Sequence, residues 1–148
     1  MKKQSKKTNI GTWITTFNPS ATDLMSYLGF KWLCIDMEHS TITLPQAQRI
    51  VAACQSQNVS CLPRPVSHSN DFIKPLLESG SDGLIIQMVN SSKELEKIIN
   101  NFKYPPIGNR SFGINRAQGY GFDFENYVKS WNDTSSLIIQ IESKIAVD

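Results

Sequence analysis

No apolar run in this 148-residue chain approaches the roughly 20 residues needed to cross a bilayer. The basic start leads into Thr8, Asn9 and a strand-like segment, not into the apolar core of a signal peptide, so a cytoplasmic protein off the membrane is expected. Cysteine is scarce. Cys34, Cys54 and Cys61 form an odd set without CxxC spacing, and no base stands near any of them in sequence. That argues against a disulfide framework and a catalytic thiol, and for buried free thiols in a reducing compartment. No glycine-rich phosphate fingerprint follows the first strand-like run, because Gly11 precedes Trp13 inside it; this weakens the case for an open doubly wound sheet. A large excess of charge is also lacking. The net charge is +2, and Lys2, Lys3, Lys6 and Lys7 sit in the first residues with no acid among them. The remainder is slightly acidic and offers no nucleic-acid surface.

What is present is an ordinary globular composition, 40% hydrophobic and 19% charged, long enough to bury a core in one domain. Residues 1–8 are expected to be a disordered basic tail and residues 9–148 one domain. Apolar runs alternate with helical patterns. Strands are predicted over Ile10–Phe17, Trp32–Ile35, Val59–Pro63, Leu84–Val89 and Leu137–Glu142. Between them, Ser20 caps a helix ending before Gly29, and Thr43-Leu44-Pro45 opens a second. Ser69 or Asn70 starts a third that Gly80 closes, and Ser91 or Ser92 starts a fourth carrying Leu95, Ile98, Ile99 and Phe102 on one face. Lys103–Gly121 is irregular, Phe122–Trp131 reads as a short helix, and another helix begins at Ser143.

Such alternation implies a parallel sheet covered by helices. Five strand–helix units here average about 30 residues each, and eight would need roughly 240, the size of a closed (β/α)₈ barrel. The expected fold is therefore α/β: a partial TIM (β/α)₈ barrel comprising about the first five units.

In a barrel the C-terminal strand ends carry the chemistry. Strand two ends Ile35-Asp36-Met37-Glu38-His39, strand three Leu62-Pro63-Arg64-Pro65, and strand five Ile139-Gln140-Ile141-Glu142. Gln140 and Glu142 are two apart and would point the same way in a strand. Glu142 is a candidate ligand for a hard divalent ion, or else the partner of a neighbouring Lys or Arg. Asp36 could orient the His39 imidazole as a general base, or His39 could merely cap a turn. Arg64, stiffened by two prolines, could bind a carboxylate or a developing enolate, or form a structural ion pair. His68 is assigned no role.

These segments resemble the pyruvate-dependent class II aldolases of the HpcH/HpaI family, which act on 4-hydroxy-2-oxo acids such as 2,4-dihydroxyhept-2-ene-1,7-dioate. The similar stretches are Gly11-Thr12-Trp13, Leu28 through His39, Arg64-Pro65, Lys103-Tyr104-Pro105-Pro106-Ile107-Gly108-Asn109-Arg110, and Ile139 through Glu142. The resemblance implies a barrel of the phosphoenolpyruvate/pyruvate-binding type. It implies His39 as catalytic base with Asp36 as its partner, and Arg64 as the group that binds pyruvate and stabilises its enolate. It implies Gln140 as a substrate-binding residue and Glu142 as a metal ligand, for Mg²⁺ or Mn²⁺, with Co²⁺ a further option. Its substrates would be pyruvate or another 2-oxo acid and an aldehyde, and a homo-oligomer is expected. The Lys103–Gly121 segment would lie near the active site. The resemblance also implies a second metal ligand, an Asp ending a sixth strand, which these residues do not include. Gln87 stands where a proline is usual, and Ser111 where a glycine is. The alternative function is a non-catalytic remnant or fragment of such an aldolase.

Overall fold

The computed structural model describes residues 8–147. The expected disordered tail therefore lies outside the described residues apart from Thr8, and Asp148 lies outside them too.

Strands β1 (Gly11–Ile14), β2 (Trp32–Ile35), β3 (Ser60–Cys61), β4 (Gly83–Ile86) and β5 (Ser136–Ile139) alternate with helices α1 (Pro19–Tyr27), α2 (Leu44–Ser56), α3 (Asn70–Glu78), α4 (Ser92–Phe102) and α5 (Phe124–Thr134). β1 pairs with β2, β2 with β3 and β4 with β5, all parallel. Backbone bonds from Asp82 N–H to the Cys61 carbonyl and from Ile85 N–H to the Pro63 carbonyl, both 3.0 Å, bring β3 beside β4. The strands thus follow one another in chain order. A doubly wound sheet needs a reversal of that order, and none occurs among the described residues.

The strands are short; β2 and β4 are buried on both faces, as continuous apolar runs require, whereas β1, β3 and β5 carry exposed residues. Leu33, Ile35, Cys61, Leu84 and Ile86 pack against Ile50, Val51, Cys54, Ile73, Leu77 and Ile98 of the helices. Cys34, Leu62 and Ile85, with Trp32, form a second cluster on the opposite face. Each fully buried aliphatic side chain contributes about 2 kcal/mol. All three cysteines are buried and free.

The helix starts follow local chemistry. Asn18, not Ser20, caps α1, its side chain accepting from Ala21 N–H at 3.2 Å. Thr43 and Gln46 form a capping box on α2, and Ser91 accepts from Glu94 N–H at 3.2 Å on α4.

Four strands, β1, β3, β4 and β5, are shorter than predicted. β3 stops at Cys61 because Pro63 and Pro65 have no N–H to offer a ladder, although an isolated bridge still joins Arg64 to Asp36. β5 stops at Ile139, so Glu142 lies beyond the strand. The predicted helix after Ser143 is a single 3₁₀ turn, Lys144–Ala146.

Candidate active site

Because the strands are parallel, Asp36, His39, Arg64, Gln140 and Glu142 all follow C-terminal strand ends, at one edge of the fold. Period-two alternation sets the direction of the strand-end side chains. Asp36 continues the face of Trp32 and Cys34, Arg64 that of Leu62, and Gln140 that of Ile138. This is the face turned away from the helices.

Arg64 is the hub. Its Nε–H donates to Asp36 Oδ1 at 3.1 Å and its Nη2 to Oδ2 at 2.8 Å, a two-pronged pair. Nη1 donates to Gln140 Oε1 at 3.3 Å and lies 3.0 Å from Glu38 Oε2. The guanidinium carbon sits 4.6 Å from the Trp13 ring centroid, a cation–π contact. Side chains from β1 and from beyond β2 and β5 therefore converge on one cation. The structural ion pair that the sequence left open is present, and Arg64 still keeps donors beyond the three it spends on Asp36 and Gln140.

The electrostatics follow. Burial works to raise the Asp36 carboxyl, but the Arg64 hydrogen bonds, the His39 backbone N–H and the guanidinium charge outweigh it and hold the group below the ordinary carboxylate range. Burial likewise works against the Arg64 cation, yet Asp36 and Glu38 push its pKa above the usual arginine value.

His39 is placed differently from the expectation. Asp36 does not orient its ring: both carboxylate oxygens are taken by Arg64, and what reaches Asp36 Oδ1 is the His39 backbone N–H, at 3.1 Å. The imidazole is 71% exposed, with Nε2 3.7 Å from Glu38 Oε2. Asp36 thus fixes the turn that carries His39, not its tautomer.

Glu142 is exposed and linked to the cluster through β4: the N–H of Met88, the second residue after that strand, donates to Glu142 Oε2 at 2.9 Å. Among the described residues no three His, Cys, Asp or Glu side chains gather to hold a metal ion. A hard divalent ion takes about six oxygen ligands. One exposed carboxylate does not make a metal centre, so these residues alone do not fit the group.

Trp13 and Glu38 are contacts of Arg64 that the sequence reading did not single out. Asp36 and Glu38 are two apart, the same spacing that linked Gln140 to Glu142, so the signal for Glu38 was available. Trp13 shares its strand face with Gly11 and carried no separate signal.

The Lys103–Gly121 segment is not near this cluster. Lys103 Nζ donates to the Asn132 carbonyl at 2.6 Å and to Ser135 Oγ at 2.8 Å. Arg110 pairs with Glu78 at 3.1 Å, and Arg116 Nη1 donates to the Ser79 carbonyl at 2.9 Å. These partners belong to the end of α3, to α5 and to the start of β5. The segment ties the opposite, N-terminal ends of the strands. A polar cavity of about 570 Å³ opens there, lined by Asp82, Arg116 and Ser136 among others.

A family model described as HpcH/HpaI aldolase/citrate lyase matches residues 9–148. The chain is 31% identical over 148 residues to a 2-dehydro-3,6-dideoxy-6-sulfogluconate aldolase of Pseudomonas putida, covering 99% of this chain and 57% of that protein. It is 32% identical over 141 residues to the 2-keto-3-deoxy-L-rhamnonate aldolase of Escherichia coli strain K12, covering 94% and 52%. The chain spans about half the length of the curated relatives it matches. The crystal structure of an HpcH/HpaI aldolase from Desulfitobacterium hafniense DCB-2 superposes with a TM-score of 0.85 at 25% identity, covering 95% of this chain and 55% of that one. A family protein from Burkholderia cenocepacia J2315 reaches 0.86 at 23% identity, over 93% and 56%, and speaks to the fold alone.

Proposed function

The chain belongs to the HpcH/HpaI aldolase/citrate lyase family, and from that premise we propose that it is the N-terminal part of a class II aldolase, a carbon–carbon lyase that cleaves a 4-hydroxy-2-oxo acid to pyruvate and an aldehyde. The chain-order parallel strands support an incomplete (β/α)₈ barrel over residues 9–148. The observation that carries the activity is the Arg64 guanidinium, held by Asp36 and Gln140 at the strand-end edge that also bears His39.

In cleavage, the His39 imidazole takes the proton of the 4-hydroxyl. The C3–C4 bond breaks, the aldehyde leaves, and the bonding pair becomes the enolate of pyruvate. Free N–H donors on Arg64 hold the substrate's carboxylate or enolate oxygen, where negative charge grows. Gln140 spends its Oε1 on Arg64, which leaves the Nε2 amide to donate to a second substrate oxygen. Asp36 holds the guanidinium in plane. A divalent ion such as Mg²⁺ or Mn²⁺ would supply further stabilisation of the enolate charge; Glu142 is the one carboxylate these residues would offer it, short of a complete site. The three buried free thiols support a reducing, cytoplasmic setting.

The lone exposed carboxylate favours a second reading, in which this chain by itself is not a catalyst. Proton NMR separates the two. The 148-residue chain is incubated with a 4-hydroxy-2-oxo acid and Mg²⁺ or Mn²⁺, and pyruvate is followed by its methyl signal. Release that disappears in Arg64→Ala supports the aldolase; no release above the buffer rate sinks it for this chain.

A further inference from the structure

β4 is followed by Gln87 and Met88, two residues with no part in the chemistry above. Gln87 is only 3% exposed. It lies two residues beyond Ile85, whose side chain packs with Cys34 and Leu62 on the face that Arg64 shares. The β3–β4 ladder has a backbone rung from Ile85 N–H to the Pro63 carbonyl, 3.0 Å. Two residues on, the next rung is made by a side chain: Gln87 Nε2 donates to the Pro65 carbonyl at 2.8 Å. Pro63 and Pro65 flank Arg64 and neither has an N–H. Carbonyl oxygens are therefore what ties this segment to β4, and Gln87 supplies the donor to the carbonyl of Pro65, the residue that follows Arg64.

Two further observations mark the pair as held in place. Gln87 Oε1 is buried without a hydrogen-bond partner, an arrangement that costs stability and calls for a reason. Met88 has φ of 51°, in the left-handed region, where a non-glycine residue is strained; that turn delivers its N–H to Glu142 Oε2 at 2.9 Å. One dipeptide thus grips the end of β3 through a side chain and the segment after β5 through the main chain.

We propose that Gln87 is a positioning residue for Arg64: its amide pins the Pro65 carbonyl and thereby sets where the guanidinium stands between Asp36 and Gln140. The inference rests on Arg64 being the group that holds pyruvate, and the test keeps the two apart.

Gln87→Met keeps the length and removes the donor. Gln87→Glu keeps the shape and is a second route if the first variant folds poorly. In the ligand-free protein the Arg64 Nε–H resonance, identified by its loss in Arg64→Lys, moves in both variants. Pyruvate affinity by calorimetry falls about two- to tenfold. In an Arg64→Lys background, Gln87→Met has no further effect on that affinity, because its influence runs through the guanidinium. An unmoved Arg64 resonance in both variants overturns the inference, as does an affinity loss of equal size in the Arg64→Lys background. If Arg64→Lys binds pyruvate like the wild type, the functional reading of Arg64 fails, and the resonance of the free protein still decides the role of Gln87.

Discussion

Asp36 and Arg64 meet by two hydrogen bonds in one plane, Nε to Oδ1 at 3.1 Å and Nη2 to Oδ2 at 2.8 Å, between side chains 6% and 10% exposed. Removing one partner of such a pair strands the other charge away from water. Asp36→Ala is therefore expected to lower the unfolding free energy by about 3–5 kcal/mol. The exposed Asp23→Ala serves as a control near zero. Urea unfolding measures both; a loss under about 1 kcal/mol for Asp36→Ala would mean that the pair does not hold the strand ends together.

The pH dependence separates two carboxyls shifted in opposite directions, Asp36 buried and Asp82 half-buried. Asp36 titrates below its ordinary value, so the unfolded chain binds its proton more readily. Its contribution is present above about pH 3.9 and drains as pH falls through the lower folded value. Asp82 is the reverse: burial raises its carboxyl despite the Cys61 N–H it accepts. Its contribution is full below about pH 3.9 and is lost as pH rises through the raised folded value. Asp82→Asn keeps an acceptor for the Cys61 N–H, now 2.8 Å from the carboxylate. It is expected to match or exceed the wild type at pH 7, with the gap closing toward pH 4. Asp36→Asn is expected to lose stability at pH 7. Denaturant midpoints at the two pH values check both signs, and parallel behaviour of the two variants would contradict them.

The alternation of strands and helices was legible because β2 and β4 are buried on both faces and must read as unbroken apolar runs, while Thr43 and Ser91 advertise helix starts. The positions of the site residues at strand ends followed from that. Their partners did not. Asp36 and His39 are neighbours in sequence, which suggested an Asp–imidazole pair, but the carboxylate goes to Arg64, 28 positions away. A cation with two carboxylates within reach is a tertiary fact that no local spacing encodes. The Lys103–Gly121 segment shows the same limit from the other side: its irregularity marked it as special without saying which end of the sheet it serves.

That segment gives a third prediction. Arg110, its side chain 1% exposed, pairs with Glu78 and stacks 4.6 Å from the Tyr104 ring and 4.7 Å from the Trp131 ring. Arg110→Ala removes the stacking and leaves Glu78 largely buried and unpaired, so it is expected to cost about 3–5 kcal/mol. Arg110→Met with Glu78→Gln should cost less than the sum of the single changes. Because the cluster sits at the N-terminal ends of the strands, pyruvate affinity in any folded variant should stay at the wild-type value. A selective loss of affinity without loss of stability would return the segment to the active-site edge.

His39 offers the sharpest division of labour. Its ring is exposed, with Nε2 3.7 Å from Glu38 Oε2, whereas the cation proposed to hold the 2-oxo acid is anchored by Asp36 and Gln140. His39→Ala should therefore leave pyruvate affinity within about twofold and keep Arg64 in place. It should slow exchange of the pyruvate methyl protons for deuterium, the half-reaction that makes the enolate, by about 10²-fold or more, the usual size of a general-base contribution. Methyl-proton loss in heavy water, followed by NMR at saturating pyruvate, reads the base alone, and calorimetry reads binding. Exchange that persists at the wild-type rate in His39→Ala would remove the imidazole from the mechanism, and the proton would then have to leave by a group other than any now assigned.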